Sequence, residues 1–344
     1  MARTTAIQWC DSTVNPVMGC AGCELYVPGK GGPCYAGADH ERKGQHSVGF
    51  APEFLLPTVF PGRVAEAARW PDLRGTTRAG KPWLDGTPRL IFVSDMGDAL
   101  SDAPFGREHE PGRWVMAEDV EVVERRAGKD GRLYPARRLP RAGSVRAGGV
   151  PFELLRREVL DVVASASGQR HEWVWLTKRP DRMAALSRWL EAQGVSWPTN
   201  LWPGTSVTGS GTVWRAQALT GVGTASTRRV LSVEPLWNRV DLEPLFRAHP
   251  GLWWVITGGE SRQRKHTAPR PLELAWLRAL RDACAACAVP LFVKQLGGAP
   301  REGGTALRLC DAKHGGEWEE WPQDLRLRAR PDGAHRREAE LVRG

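Results

Sequence analysis

The sequence predicts an α/β fold built on a parallel sheet or barrel, and three observations predict it. Short β-rich runs recur along the chain, several are apolar almost throughout as strands buried on both faces should be, and helical patterns fall between them. Six runs stand out: Leu90–Ser94, Trp173–Thr177, Leu201–Val207, Arg229–Val233, Trp253–Thr257 and Leu291–Gln295. Apolar residues at three- and four-residue spacing predict helices over Pro151–Ala166, Asp181–Gln193 and Leu272–Ala288. Arg107–Gly149 breaks the alternation, because VEVVERR and RLYPARR flank a KDG turn and predict an inserted hairpin or flap. No internal repeat is visible. Residues 1–322 are expected to form one domain, and residues 323–344 a charged C-terminal tail, solvated or frayed in its final dozen residues.

Composition excludes several classes. With 344 residues, 41% apolar and 25% charged, the chain reads as folded rather than disordered. No stretch approaches the roughly 18 to 20 apolar residues of a membrane span, and MARTTAIQWCDS lacks a signal-peptide core. No membrane contact is expected, and the protein is expected in the cytoplasm. Seven cysteines, an odd number, argue against a disulfide framework and for metal binding or core packing. The net charge of +9 is compatible with a polyanionic partner such as nucleic acid, although the basic residues are spread along the chain.

The segment NPVMGCAGCELYVPGKGGPCYAG places Cys20, Cys23 and Cys34 in a C-x2-C-x10-C pattern, and its glycines and prolines predict a loop. Such a loop can converge three thiolates on an iron–sulfur cluster, leaving one iron open. It can equally build a zinc site, with Cys10 or His40 as fourth ligand, in a non-catalytic nucleic-acid-binding or host-interaction protein. Spacing alone does not separate these readings, nor unliganded cysteines. Cys284 and Cys287 share an apolar helical face with alanines and are expected to pack in the core, and nothing supports a role for Cys310.

In a β/α barrel the polar residues that finish each strand form the site. Here these are Ser94, Asp95 and Asp98; Thr177, Lys178 and Arg179; Thr205 and Ser206; Ser232 and Glu234; Gly258, Gly259, Glu260 and Ser261; and Lys294 and Gln295. Gly258 and Gly259 are expected to let backbone approach a ligand, with the Glu260 carboxylate gripping an amine. Lys178 and Arg179 are candidates for a carboxylate or phosphate, or for a helix-flanking salt bridge. Lys294, inside an apolar run, needs a partner such as Glu234, Glu260 or substrate. Of sixteen tryptophans, Trp173, Trp175, Trp253 and Trp254 fall within strands and are expected to fill wall or core, while Trp202 and Trp237 lie nearer strand ends and are candidates for base stacking.

The strings IQWCDSTVNPVMGC, PCYAG, LIFVSDMGD, WLTKRPDRM, LSVEPL, WVITGGES and VPLFVKQLGG, in order from Ile7 to Trp321, resemble a family of phage and bacterial proteins related to radical S-adenosylmethionine enzymes, spore photoproduct lyase among them. The resemblance implies a partial (β/α)6 barrel of the radical-enzyme type, with a [4Fe-4S] cluster on Cys20, Cys23 and Cys34. It also implies S-adenosylmethionine on the open iron, a reducing electron donor, and a 5′-deoxyadenosyl radical that abstracts hydrogen from substrate. Cys20 and Cys34, followed by Tyr35 and Ala36, match the outer cysteines of the family pattern. Gly31 stands where the family has its middle cysteine, and Cys23 substitutes from upstream. The TGGES segment resembles the Gly-Gly-Glu element that binds the methionine amino group, although it follows a late strand rather than an early one. The implied cofactor contacts are Tyr35, Ser94, Asp95, Ser206, Gly258, Gly259, Glu260 and Ser261, and the implied catalytic residues are Lys178, Glu234 and Lys294. A nucleic acid or nucleotide is the expected substrate class; the oligomeric state is left open.

Overall fold

Seven parallel strands, each paired with the next along the chain, frame the molecule. They are β1 (Ser12–Val14), β2 (Leu90–Val93), β3 (Glu172–Thr177), β4 (Leu201–Ser206), β5 (Arg229–Val233), β6 (Trp253–Gly258) and β7 (Leu291–Gln295). The computed structural model describes residues 1–26, 32–44, 47–102, 112–263 and 267–331. Sequential parallel order with twisted strands curls the sheet into a half-barrel whose edges are β1 and β7. Register runs through pairs such as Thr13↔Phe92, Phe92↔Val174, Gly204↔Val230 and Thr257↔Val293, and shifts between Thr257 and Gly258.

All six strands anticipated from the sequence are present, but the sheet has seven. The additional β1 reads SerThrVal, too short and too polar to register as an apolar run. Its hydroxyls are buried against specific partners instead: Ser12 Oγ donates to Arg3 O at 2.7 Å and accepts from Arg89 Nη1 at 2.9 Å.

Side chains alternate across the strands with period two, and both faces are covered. Trp173, Trp175, Trp253 and Val255 point into the layer shared with helices Pro180–Glu191, Trp214–Leu219, Glu243–Ala248 and Leu274–Ala286. Val174, Leu176, Trp202, Trp254, Ile256 and Phe292 form a second cluster with Trp9, Cys10 and Phe92. Trp254 meets Trp9 and Trp202 edge-on, at 5.9 and 6.1 Å between ring centroids. Trp202 is therefore a core residue, buried where no base could stack on it. Cys284 packs in the outer layer beside Leu277 and Leu280, with Cys287 against its edge, and Cys310 is exposed.

The insertion is a two-stranded antiparallel ribbon, Val120–Ala127 with Leu133–Pro140. Its root, through Arg113–Met116 and Arg146–Ala147, joins a small sheet with Val17–Met18 and Thr58–Val59. Residues 107–111 of the expected flap lie outside the described residues. The expected tail does not begin at 323: Leu325 is fully buried, Val293 N donates to Leu327 O at 2.7 Å, and Ala329 N donates to Leu291 O at 2.9 Å. Arg328 lies 4.4 Å above both Trp83 and Trp318, so the first part of the expected charged tail packs against the domain. Residues 332–344 lie outside the described residues.

His171, just before β3, ties the sheet to helix Arg63–Ala68: its Nε2–H donates to Ala68 O at 3.2 Å, and its Nδ1 has no partner among the described residues. Burial lowers its pKa from the ordinary 6.5. The unfolded chain thus takes the proton more readily, so this contribution to stability is complete above about pH 6.5 and is lost as pH falls below it. His171→Gln, which keeps a donor for Ala68, should flatten the acid limb of urea-unfolding stability between about pH 8 and 5 by up to one proton. An unchanged slope would count against a neutral buried imidazole.

Candidate active site

A cavity of ≈ 630 Å³ opens at the C-terminal ends of the strands, where such sheets place their sites. Trp9, Phe92 and Leu176, from the inner aromatic cluster, contribute apolar surface to its lining. The cysteine segment, and polar residues that follow β2 to β7, complete it.

The cysteine segment is fastened to these strand ends at several points. Gly19 has φ 86°, and a Cβ there would meet Phe54 O at 2.7 Å, so only glycine fits. Cys20 N donates to Phe54 O at 2.8 Å, Asp98 N donates to Gly19 O at 3.1 Å, and Arg179 Nη2 donates to Gly22 O at 2.6 Å. Arg215, fully buried on helix Trp214–Leu219, forks onto Glu24 with Nη1–Oε1 at 2.7 Å and Nη2–Oε2 at 2.8 Å. Burial alone would raise the Glu24 carboxyl, but the Arg215 hydrogen bonds and charge, with Lys178, hold it down at about 2. Asp98 braces the rim: its carboxylate accepts from Thr177 Oγ1 at 2.8 Å, Lys178 N at 2.9 Å and Leu100 N at 3.0 Å.

Cys20, Cys23 and Cys34 all line the cavity and are free thiols. Cys34 Sγ caps helix Tyr35–Lys43 by accepting from Gly37 N at 3.4 Å, Cys23 Sγ accepts from Leu25 N at 3.4 Å, and Ser101 Oγ donates to Cys20 Sγ at 3.6 Å. Burial pushes the Cys20 thiol up to about 12 and also raises Cys34. The raised values favour the protonated thiol at Cys20 and Cys34, and metal binding releases such protons. Burial alone would lower the Lys178 ammonium, yet interaction with the ionised forms of Cys23, Glu24 and Cys34 raises it. Among the described residues no group of three or more Cys, His, Asp or Glu side chains is arranged around a single metal position. The fourth zinc ligands considered from the sequence are engaged elsewhere. His40 Nε2 bonds Ala51 O at 2.9 Å between Phe50 and Phe54, and Cys10 lies wholly inside the inner aromatic cluster. Gly31 lies outside the described residues.

The cysteines, Tyr35 and the polar strand-end residues expected from the sequence line one cavity, except Arg179, Thr205 and Gly258, which are not part of its lining. Ser94 holds a left-handed backbone at φ 71°, unusual for a residue with a side chain, and its buried Oγ has no hydrogen-bond partner among the described residues. Asp95 accepts from Asn15 Nδ2, and its backbone oxygen accepts from the Tyr35 hydroxyl. Ser206 lines the wall, and its carbonyl accepts from Arg215 Nη1 at 3.2 Å. Lys294 Nζ donates to Glu234 Oε2 at 2.9 Å, so its partner is Glu234 rather than Glu260. Glu260 accepts instead from Trp237 Nε1 at 2.8 Å and from Arg270 N at 3.3 Å, and Arg270 lies 3.7 Å over the Trp237 ring. A Cβ on Gly259 would meet Leu296 O at 2.2 Å and one on Gly258 would meet Gln295 O at 2.9 Å, so both glycines pack closely against backbone at the end of β7, and Gly259 also lines the cavity.

Four residues of the site were not singled out from the sequence. Glu24 and Arg215 form the buried pair, and Asp311 and His314 line the cavity from a late loop, His314 Nδ1 lying 3.1 Å from Ser261 Oγ. Arg215 left a signal: it shares the buried stripe of its short helix with Ala216 and Leu219, where a charge requires a partner. His314 sits in a loop with no periodicity, and nothing in the pattern marked it.

Fold and site together define an α/β half-barrel protein with a thiol-lined cavity at the carboxyl ends of its strands. Residues 146–327, just over half of the chain, match the family described as Protein of unknown function (DUF5131), and the chain belongs to that family. The matched stretch holds β3 to β7 and begins after the cysteine segment. No curated protein and no solved structure matches the chain.

Arg215→Met strips the fork from a buried carboxylate and should cost about 3 to 5 kcal/mol in denaturant unfolding. Cys20 and Cys23 should then react faster with a thiol reagent under native conditions. Wild-type stability with wild-type labelling rates would show that the pair does not hold the segment.

Proposed function

We propose that this protein is a cytoplasmic radical S-adenosylmethionine enzyme whose half-barrel serves as the partial barrel of that class, acting on a nucleic acid or nucleotide. One observation carries the reading: three free thiols, Cys20, Cys23 and Cys34, line the same cavity as the polar ends of the parallel strands. Its ≈ 630 Å³ falls within the roughly 300 to 1,000 Å³ usual for ligand sites.

In this reading Cys20, Cys23 and Cys34 hold a [4Fe-4S] cluster. When bound and reduced by an electron donor, such a cluster supplies the electron that cleaves S-adenosylmethionine to a 5′-deoxyadenosyl radical. The chain's own groups bind and orient. The Lys178 ammonium offsets the negative charge of the thiolates beside it. Glu260, fixed by Trp237 and Arg270, offers a carboxylate to an ammonium group. Ser94 Oγ, unpartnered among the described residues, offers a hydrogen bond, as do Asp95, Ser206 and Ser261, with Tyr35 alongside. Lys294 donates from Nζ to Glu234 Oε2, and the two form an ion pair on the cavity lining. Trp9, Phe92 and Leu176 keep part of that lining dry, which favours radical chemistry over quenching.

Anaerobic reconstitution should yield about four irons and four sulfides per chain. Reduction in the presence of S-adenosylmethionine should release 5′-deoxyadenosine. Cys20→Ala, Cys23→Ala and Cys34→Ala should each lose most of both. A colourless protein that keeps one zinc and takes up no iron under these conditions would overturn the reading, and Cys23→Ala with full iron content would remove that residue from the ligand set.

A further inference from the structure

The ribbon Val120–Ala127 with Leu133–Pro140 is not used by the cavity, and its chemistry is distinctive. Residues 113–146 hold nine basic and five acidic side chains, +4 of the chain's +9 in about a tenth of its length. Charge that is spread along the sequence is thus gathered on one projection. Three of the arginines pair locally: Arg126 with Glu124, Arg141 with Glu121, and Arg146 with Asp119. Arg138 turns inward, donating to Ser47 O at 3.2 Å and Val48 O at 3.1 Å, and so anchors the ribbon. The anchoring segment leads into Phe54, whose carbonyl also holds Cys20 N. Arg125, Lys129, Arg132 and Arg137 are exposed and make no ion pair among the described residues.

We propose that this ribbon is an arm that docks double-stranded DNA beside the mouth of the cavity. A two-stranded ribbon fits the major groove, about 12 Å wide, and guanidinium and ammonium groups neutralise the flanking phosphates. Val122, Val123 and Leu133 are exposed, Leu133 at 64%, and offer methyl groups of the kind that meet thymine methyls. A single strand suits the arm less well, since unpaired bases are held by stacking on aromatic rings. The sole ring between Val120 and Pro140 is Tyr134, whose hydroxyl is engaged by Asp130 at 2.7 Å. This deepens the proposed function by naming its substrate class, but binding by the arm needs neither iron nor S-adenosylmethionine, so the two readings fail separately.

The test is fluorescence anisotropy of a short labelled DNA duplex, and of one of its strands alone, against the full chain over a salt series. The duplex should bind more tightly than the single strand, with affinity that falls steeply with salt. The variant Arg125→Gln/Lys129→Gln/Arg132→Gln/Arg137→Gln should lose about a hundredfold in affinity at low salt. Its log–log salt slope should shrink by about 3 to 4, close to one per phosphate contact removed. Arg125→Lys/Arg132→Lys/Arg137→Lys, which keeps the charge, should bind within a few-fold of the unsubstituted chain, and Arg157→Gln/Arg188→Gln on outer helices should change little. All four residues are exposed, so thermal unfolding should match the parent and confirm that binding reports on the arm. No salt-dependent duplex binding, an arm variant that binds like the parent, or a single strand bound as tightly as the duplex would each overturn the proposal.

Discussion

The buried fork between Arg215 and Glu24 is the interaction on which the site depends. The cysteine segment is rich in glycine, and although Val17, Met18 and Ala21 are buried, polar contacts fix the stretch that carries the cysteines. A guanidinium from the helix after β4 reaches across and fixes the residue next to Cys23, while Arg179 from the end of β3 grips Gly22 and Asp98 from beyond β2 grips Gly19. A buried ion pair is costly in desolvation and gains little net stability over a well-packed apolar pair. What it provides here is position, because the two parallel hydrogen bonds of the fork set angle as well as distance.

The second constraint is the inner aromatic cluster. Inward-facing residues of a narrow parallel barrel ordinarily fill it completely. Here Trp9, Trp202, Trp254 and Phe292 fill the lower part, and above Phe92 and Leu176 the strands end in Ser, Asp, Lys, Glu and Gly, which leaves a cavity with a dry floor and polar walls. The register shift between Thr257 and Gly258 turns the chain toward Glu260 at the rim, a usual role for an irregularity at a site. Polar groups are thus concentrated where the sheet stops, and several, such as Asp98, Glu260 and Lys294, are held by neighbours.

Much of this was legible in the sequence because it followed from burial. Strands covered on both faces read as apolar runs, which is why the six longer ones were found. A lysine inside such a run had to meet a carboxylate, and Lys294 meets Glu234. The edge strand Ser12–Val14 was not legible, because its stability comes from specific hydrogen bonds of hydroxyls rather than from apolar pattern. The stretch Arg326–Arg330 read as part of a charged tail, since sequence does not reveal that tryptophan faces wait to receive Arg328. Gly258 and Gly259 were marked as places of close approach, and both pack against the end of β7. His314 and Glu24 reach the site from loops, where position depends on tertiary contacts that no local period encodes.

The central claim is that the three cysteines hold a cluster whose open iron receives S-adenosylmethionine. Electron paramagnetic resonance of the anaerobically reconstituted, reduced chain, recorded before and after S-adenosylmethionine is added, addresses it most directly. The account predicts the signal of a reduced [4Fe-4S] cluster that changes shape on addition, because a ligand binds one iron directly. A signal that does not change, or a protein with no cluster signal and one tightly held zinc, would contradict it.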